Sequence, residues 1–317
     1  MARIPYNPFK KQQMKSDCAN LPSERAYLVR QHLTAAQAAA ASVDGVLTST
    51  ELTTARTLTT GFVQPPYARA LTYDCNVAGV TGNITVVGTN INGEACTETK
   101  ALNGLTVVPG VLAFKTITSI ALPAKVHTKT KQSFSKTVTN ACTTKNGNVT
   151  LTITSALYTP ARVITLAATT TAHDDVTKTA AALVALINAD AVTGLHFAAE
   201  NLAGKITVTA KVEAANDVTL AAVYADNADP TGVAMGADAD PVAGVLPDLV
   251  IIGVGDIIGL QYMSPWNNIA YITLGGAKET SAWTQVADAD EIQKNTVDLN
   301  SALNGTAVNI YSIIDNE

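Results

Sequence analysis

The chain from residue 61 onwards alternates apolar and polar positions, which is the pattern of half-buried β-strands. Ile84, Val86 and Ile91 stand among threonine and asparagine residues, and the pair Asn92-Gly93 follows them. An Asn-Gly pair between two alternating segments is a signal for a type I′ turn. This stretch therefore predicts a β-hairpin.

Further strands follow at short intervals. Cys96–Thr99 continues the return strand, Asn103-Gly104 makes a second turn, and Phe114–Leu122 forms another strand that Pro123 stops. Strands spaced by roughly 8–12 residues are typical of antiparallel sandwiches and barrels. The sequence thus predicts a mainly β protein with a β-sandwich or barrel-like body.

A different pattern occupies residues 131–247. Strands are predicted at 149–154, 163–166, 206–212 and 218–224. Between the second and third of these, Asp174 or Asp175 caps a helix whose apolar positions recur at helical spacing, namely Val176, Ala180, Leu183 and Ile187. One helix on a short antiparallel sheet makes a small α+β domain, which we expect to be inserted into the β-domain.

The β-pattern resumes after this insertion. The acidic segment Asp226–Gly244 is predicted to be a solvated connector, and the strands expected after it are Leu249–Val254, Ala270–Leu274 and Val308–Ile314. The β-domain is therefore predicted to be discontinuous and to consist of residues 61–130 and 248–317.

Residues 1–60 are predicted to form an N-terminal arm and a helix. Pro5 and Pro8 prevent a regular element at the start, whereas Ser23–Ala41 favours a helix. The alanine run at the end of that helix offers little apolar area, so the helix must be stabilised by packing on something else. We expect the arm to bind a neighbouring molecule.

Composition excludes several classes of protein. Hydrophobic residues make up 47% of the 317 residues and charged residues 15%, which is not the composition of a disordered chain. The net charge of −5 argues against a nucleic-acid partner, because such proteins need a basic face. Lys10, Lys11 and Lys15 are a local exception that suits a solvated arm or a negatively charged partner protein.

Membrane and export signals are not predicted. The longest apolar stretch, Leu246–Leu260, is interrupted by proline, glycine and aspartate and falls short of the ~20 residues that a membrane helix needs. The N-terminal sequence MARIPYNPFKKQQ lacks the apolar core of a signal peptide. The four cysteines, Cys18, Cys75, Cys96 and Cys142, form no CxxC pair, so we expect free thiols, with an inter-subunit disulfide as the alternative.

Motifs that could carry chemistry each have a simpler interpretation. Gly253–Gly259 has the third glycine one place late for a dinucleotide site and continues as strand, so a hairpin turn is the better interpretation. The four histidines, His32, His127, His173 and His196, lie far apart. His173-Asp174-Asp175 could belong to a catalytic triad, but no Gly-x-Ser-x-Gly elbow is present and helix capping explains the aspartates.

Two further groups of residues are open to two interpretations. Asp226, Asp229, Asp238 and Asp240 could bind calcium, although their spacing fits no EF-hand loop. The aromatic residues Tyr262, Trp266, Tyr271 and Trp283 could anchor an interface or pack over the sheet core. The sequence therefore predicts no catalytic, cofactor-binding or metal-binding residue.

Several short motifs resemble those of structural proteins in tailed-bacteriophage virions. They are a Pro-x-x-Arg start at Pro66, GNITV from Gly82, GTNINGE from Gly88, TET from Thr97, LNG from Leu102 and AFKT-ITSI-LP from Ala113. The pattern resumes with GVGDIIGL from Gly253 and DLNSALNGTAVNIYSII from Asp298. Some 125 residues separate the two parts of this pattern. Within these residues, the predicted helix segment Thr170–Asp190 and the segment Glu200–Lys211 are similar to small domains on phage head and tail proteins.

The resemblance implies a non-enzymatic virion protein assembled in the bacterial cytoplasm, similar to capsid decoration and head-fibre proteins. Its expected partners are the major capsid protein and copies of itself, for example in a trimer, without nucleic acid, membrane or cofactor. The alternatives are a head- or tail-fibre component whose inserted domain contacts the host surface, and an exported hydrolase.

Overall fold

A computed structural model describes residues 25–226, 230–261, 268–288 and 294–316. The predicted arm up to residue 24, with Lys10, Lys11, Lys15 and Cys18, lies outside these residues. The described chain divides into two compact units, which we name the body (up to Ala124 and from Leu249) and the inserted unit (Lys125–Asp248). The sequence places the corresponding boundaries at residues 131 and 247.

Strands dominate the first part of the body. In chain order they are β1 (Arg25–Leu33), β2 (Ser42–Glu51), β3 (Arg56–Leu58), β4 (Arg69–Cys75), β5 (Asn83–Thr89), β6 (Ala95–Ala101), β7 (Val108–Phe114) and β8 (Thr116–Leu122).

The inserted unit contains both helices of the described residues. Its elements are β9 (Ser133–Asn140), β10 (Gly147–Ser155), β11 (Tyr158–Ala168), α1 (Val176–Ala189), α2 (Thr193–His196), β12 (Phe197–Leu202), β13 (Lys205–Ala210), β14 (Ala221–Asp226) and β15 (Ala234–Val242). The body then resumes with β16 (Leu249–Gly259), β17 (Asn268–Leu274), β18 (Ala277–Lys278), β19 (Thr284–Val286), β20 (Thr296–Asp298) and β21 (Val308–Asn316).

The body consists of three antiparallel sheets. A six-stranded sheet has the order β19-β20-β16-β4-β7, with β2 also paired to β16. Two four-stranded sheets have the orders β3-β8-β5-β6 and β1-β21-β17-β18. The prediction of a mainly β, antiparallel protein is confirmed.

Two hydrophobic cores hold these sheets together. The first combines Tyr73 and Ile252 of the six-stranded sheet with Val86 and Ile120 of the β3-β8-β5-β6 sheet. The second includes side chains of the remaining sheet, such as Leu33, Ile272 and Ile310, together with Ile258 of β16. Strand β16 contributes to both cores, and its register to β4 shifts between Val254 and Ile258.

The inserted unit has its own core, built by a helix and two sheets. The sheets have the orders β12-β13-β9-β15 and β11-β10-β14. Helix α1 buries Ala180, Leu183 and Ile187, and the side chain of Asp175 caps it by accepting hydrogen bonds from the N–H groups of Thr177 and Lys178. The predicted helix and its cap are confirmed.

The predicted helix over Ser23–Ala41 is wrong in its described part. Arg25–Leu33 is strand β1, which pairs with β21 in an unbroken antiparallel register from Arg25 opposite Asn316 to Leu33 opposite Val308. Local propensity favours a helix here, but the backbone hydrogen bonds to a distant strand outweigh it. A turn at Thr34–Ala38 follows, where the Ala38 N–H bonds to the Thr34 carbonyl.

The hairpin of β5 and β6 is confirmed, but its turn is not of type I′. Gly93 has a φ of +85°, whereas Asn92 is not among the residues with positive φ. The Gly93 N–H bonds to the Asn90 carbonyl, and the Asn90 side chain accepts from the N–H groups of Asn92 and Glu94. The Asn90 carboxamide thus stabilises a longer loop in which only the glycine is left-handed.

Three further predictions need correction. Asp226–Gly244 is not merely a connector, because it contains β15, whose pairing with β9 is irregular at three places. Gly253–Gly259 is not a hairpin turn, because it runs within the single strand β16. Phe114–Leu122 is not one strand, because the chain passes at Lys115 from β7 in one sheet to β8 in another.

Candidate functional site

The cluster His173-Asp174-Asp175 organises the start of helix α1. The Thr169 N–H donates to His173 Nδ1 at 3.0 Å, Asp174 accepts from Lys178 Nζ at 2.7 Å, and Asp175 is the helix cap. The hydrogen bonds to Lys178 and to backbone N–H groups lower the pKa of both carboxyl groups. The structure thus gives each member of the cluster a local structural contact.

The other histidines have separate partners. His32 Nδ1 lies 2.7 Å from the Asn309 side-chain oxygen, and His127 Nδ1 lies 2.8 Å from Asp248 Oδ1. The His196 ring is 6.1 Å from that of Tyr158.

The candidate calcium ligands also have separate contacts. Asp226 accepts hydrogen bonds from Thr231, Asp238 from Lys136, and Asp240 from Ser135, while Asp229 lies outside the described residues. Where the chain is described, no group of three or more His, Cys, Asp or Glu residues is arranged to hold a metal ion.

The described cysteines and aromatic residues pack inside the fold. Cys75, Cys96 and Cys142 are buried. The ring of Tyr271 stacks on that of Tyr311 at 4.3 Å, and Trp283 packs partly buried against the second body core. Tyr262 and Trp266 lie outside the described residues.

Arg69 is a fully buried cation that connects several parts of the body. The sequence alone did not reveal this role. The Arg69 Nε donates to the Gly255 carbonyl at 2.7 Å, one terminal nitrogen donates to the Ala39 carbonyl at 2.6 Å, and the other lies 3.3 Å from Asp256 Oδ1. Burial lowers the pKa of the Arg69 guanidinium, and the charge of Asp256 opposes that shift. The arginine of the Pro-x-x-Arg motif thus joins the aspartate of the GVGDIIGL motif.

Glu98 is a second buried charged residue, and it connects two sheets. Its carboxylate on β6 accepts from the N–H groups of Val111 and Leu112 on β7, at 2.6 and 3.2 Å, and from the Tyr73 hydroxyl at 3.0 Å. Burial, and then the nearby Glu98 charge, raise the pKa of the Cys96 thiol to about 12. The inward position of Glu98 was readable from the sequence, since it lies two residues after Cys96 on the same strand face.

The first glycine of GVGDIIGL allows two strands to approach each other. A Cβ atom at Gly253 would collide with the Ser42 carbonyl, the Thr72 hydroxyl and the Val43 carbonyl. This glycine therefore allows strands β16 and β2 to pack closely. It does not belong to a phosphate-binding site at the start of a helix.

Replacing Gly253 with alanine is expected to destabilise the body by about 1–3 kcal/mol, because backbone atoms of β2 must move. Gly255→Ala is the comparison and is expected to cost less, since the nearest atom outside its chain neighbours, the Ala70 carbonyl oxygen, would lie 3.3 Å from the new Cβ, which is a tight contact but not a collision. Urea unfolding of both variants measures the difference, and equal midpoints would contradict this role for Gly253.

Exposed apolar residues lie on strand β7 of the six-stranded sheet and in the segment just before it. We name this set the β7 stripe and define it as Leu105, Val107, Pro109 and Val111, four alternate residues that are all exposed, with Leu105 at 64% and Val111 at 56%. The segment Leu105–Val111 carries no charged residue. Strand β7 is the edge strand of this sheet, because β4 is the one described strand that pairs with it.

The backbone of this edge is partly occupied. Pro109 has no N–H group, and the N–H groups of Val111 and Leu112 are bound by the Glu98 carboxylate. Addition of a further strand is therefore disfavoured, and the β7 stripe presents side chains as its contact surface. Sequence reasoning missed this stripe, although its alternation of Leu, Val, Pro and Val was visible.

No helix in the described part of the chain is long and apolar enough to span a membrane. Neither a protein-family model, nor a curated protein, nor a solved structure matches this chain.

Proposed function

We propose that this chain is a structural protein of a bacteriophage virion, and specifically a capsid decoration protein that binds the head and stabilises it. The virion motifs of the sequence support this assignment. The single structural observation that carries it is the β7 stripe, because several large apolar side chains exposed close together along the chain are suited to binding another protein.

The use of the buried polar groups supports the same proposal. Arg69 and Glu98 are engaged by backbone groups and by side chains of neighbouring strands. The cluster at His173 is engaged by the start of helix α1. The hydrogen bonds of Arg69 and Glu98 join neighbouring strands of the body, and a body connected in this way, with exposed apolar residues at one edge, is suited to assembly on a repeating lattice.

Introducing positive charge into the β7 stripe tests this proposal. The double variant Val107→Lys with Val111→Lys is expected to bind capsids at least about 10-fold more weakly, because two solvated ammonium groups would have to be desolvated on binding. Cosedimentation with heads that lack the protein measures binding. The fold should be unaffected, because exposed substitutions change stability by only about 0.5 kcal/mol.

Val223→Lys is the matched control, since Val223 is 62% exposed on β14 of the inserted unit. The control is expected to bind like the wild type. Unchanged binding of the double variant would remove the β7 stripe from the proposed interface.

A head- or tail-fibre component is the second candidate, and the separate core of the inserted unit favours it. A unit with its own core can bind a host surface while the body remains attached to the particle. The number of copies in each virion distinguishes the two candidates, because decoration proteins cover the shell and fibres occupy few positions.

A further inference from the structure

The two segments that connect the inserted unit to the body meet at Asp248. The Asp248 side chain is fully buried, and its Oδ2 accepts hydrogen bonds from the N–H groups of Val126 at 2.6 Å and His127 at 2.8 Å. Its Oδ1 lies 2.8 Å from His127 Nδ1. One carboxylate on the outgoing segment thus makes three contacts with two residues of the incoming segment.

These contacts do not require a charged histidine. An ionised carboxylate can only accept, so Nδ1 carries the proton, which it does in one neutral tautomer and in the cation. Burial alone would raise the pKa of Asp248, but hydrogen bonds from the backbone and ring of His127 and from the Val126 N–H outweigh it and lower the pKa below its usual 3.8. The stabilisation is therefore present above about pH 4 and is lost only as pH falls through the lowered pKa.

A backbone bridge lies beside the Asp248 contacts. Thr130 and Val245 pair through two backbone hydrogen bonds of 3.0 and 3.1 Å, and the Thr130 hydroxyl donates to the Ala243 carbonyl. Residues 123–129 and 246–248 belong to no strand or helix. The isolated bridge and the Asp248 contacts thus both hold the connecting segments together.

The Asp248 contacts also lie outside the hydrophobic cores. The core of the inserted unit takes its side chains from Phe134 to Met235, and the cores of the body take theirs from before Lys125 and after Asp248. Loss of the Asp248 contacts therefore removes no apolar packing from any core.

We propose that Asp248 and His127 form a latch, which holds the two connecting segments together where the inserted unit begins and ends. Opening of the latch exposes these segments while both units stay folded. The latch is a conformational device that local opening can operate, because its hydrogen bonds lie outside the hydrophobic cores. This inference is independent of the proposed function.

Trypsin reports on the latch directly, because the incoming segment carries Lys125, Lys129 and Lys131. Cleavage of a locally opened segment follows the population of the open form. Asp248→Ala in the full chain is expected to be cut at these lysines on the order of 10–100-fold faster than wild type, because it loses two hydrogen bonds and one imidazole contact to a charged acceptor.

His127→Ala keeps the carboxylate and its backbone hydrogen bonds, so its cleavage is expected to rise only a few-fold. Asp174→Ala is the matched control, because it removes an exposed aspartate that pairs with Lys178, and its rate should equal that of wild type. The contacts of Asp248 are absent from both the opened and the unfolded chain, so the thermal midpoint of Asp248→Ala should fall by an amount that matches its faster cleavage, while Asp174→Ala should unfold like the wild type.

Wild-type cleavage rates in both latch variants would overturn the proposal. So would cleavage of Asp248→Ala throughout the chain, since that would make Asp248 a residue needed for global folding. If Asp248→Ala does not fold, the few-fold acceleration of His127→Ala, confined to the three lysines, must still be found, and its absence would overturn the latch.

Discussion

Replacing Glu98 with alanine is expected to destabilise the body by about 3–5 kcal/mol, which is the largest effect anticipated for any exchange in the β5–β6 hairpin. The substitution leaves the N–H groups of Val111 and Leu112 and the Tyr73 hydroxyl without their acceptor. Each of these groups is buried or partly buried, so water cannot fully replace the carboxylate. Urea unfolding followed by circular dichroism measures the loss.

Two further variants separate the carboxylate from the strand that carries it. Glu98→Gln keeps one acceptor oxygen and is expected to lose about 1–2 kcal/mol. Thr97→Ala on the exposed side of the same strand should change stability by no more than about 0.5 kcal/mol. A Glu98→Ala variant as stable as Thr97→Ala would show that Glu98 does not connect the two sheets.

Replacing Arg69 with alanine is expected to cost a similar 3–5 kcal/mol, roughly, by a different route. The Gly255 and Ala39 carbonyls lose their donors, Asp256 loses its cation, and a large buried side chain leaves a cavity. Because the guanidinium joins β4, β16 and the segment after β1, its loss should loosen all three. Hydrogen exchange would locate that loosening, and urea unfolding would measure its free energy.

Arg69→Lys tests whether the guanidinium geometry matters in addition to the charge. A lysine ammonium cannot reproduce the planar fork that reaches three acceptors, so a loss of about 2 kcal/mol is expected. Arg30→Ala, an exposed arginine on β1, is the control and should be nearly neutral. Equal stability of the alanine variants at positions 69 and 30 would contradict the structural role of Arg69.

Elements that are specified locally were predictable from the sequence. Helix α1 was found because its cap Asp175 and its apolar residues Ala180, Leu183 and Ile187 lie within a few turns of each other. The β5–β6 hairpin was found because its signal is equally local. Its turn type was not, because the Asn90 side chain bonds two N–H groups across the loop.

Elements that depend on distant partners were not predictable. Strand β1 pairs with β21, some 280 residues away, and the sequence of neither segment indicates which partner it has. Strand β15 was missed because its aspartates suggest a solvated segment, yet Asp238 and Asp240 are held by Lys136 and Ser135 on the neighbouring strand. Backbone hydrogen bonds and side-chain contacts across the sheet thus outweigh the preference of this acidic segment for a solvated conformation.

The buried polar contacts follow the same rule. Arg69 and Gly255 are separated by 186 positions, and His127 and Asp248 by 121. The sequence offered only weak signals, such as an arginine directly before the apolar pair Ala70-Leu71. The fold is what brings these residues together, and they in turn determine where its strands and connecting segments meet.

We propose that this chain is a regular part of a virion. Quantitative mass spectrometry of purified particles tests it most directly, by measuring the copy number of this chain relative to the major capsid protein. Decoration predicts a fixed ratio within about an order of magnitude of one, as expected of a component repeated over a symmetric shell, whereas a few copies per particle would favour the fibre. Particles that contain none of the chain, with all of it free in the lysate, would contradict the claim.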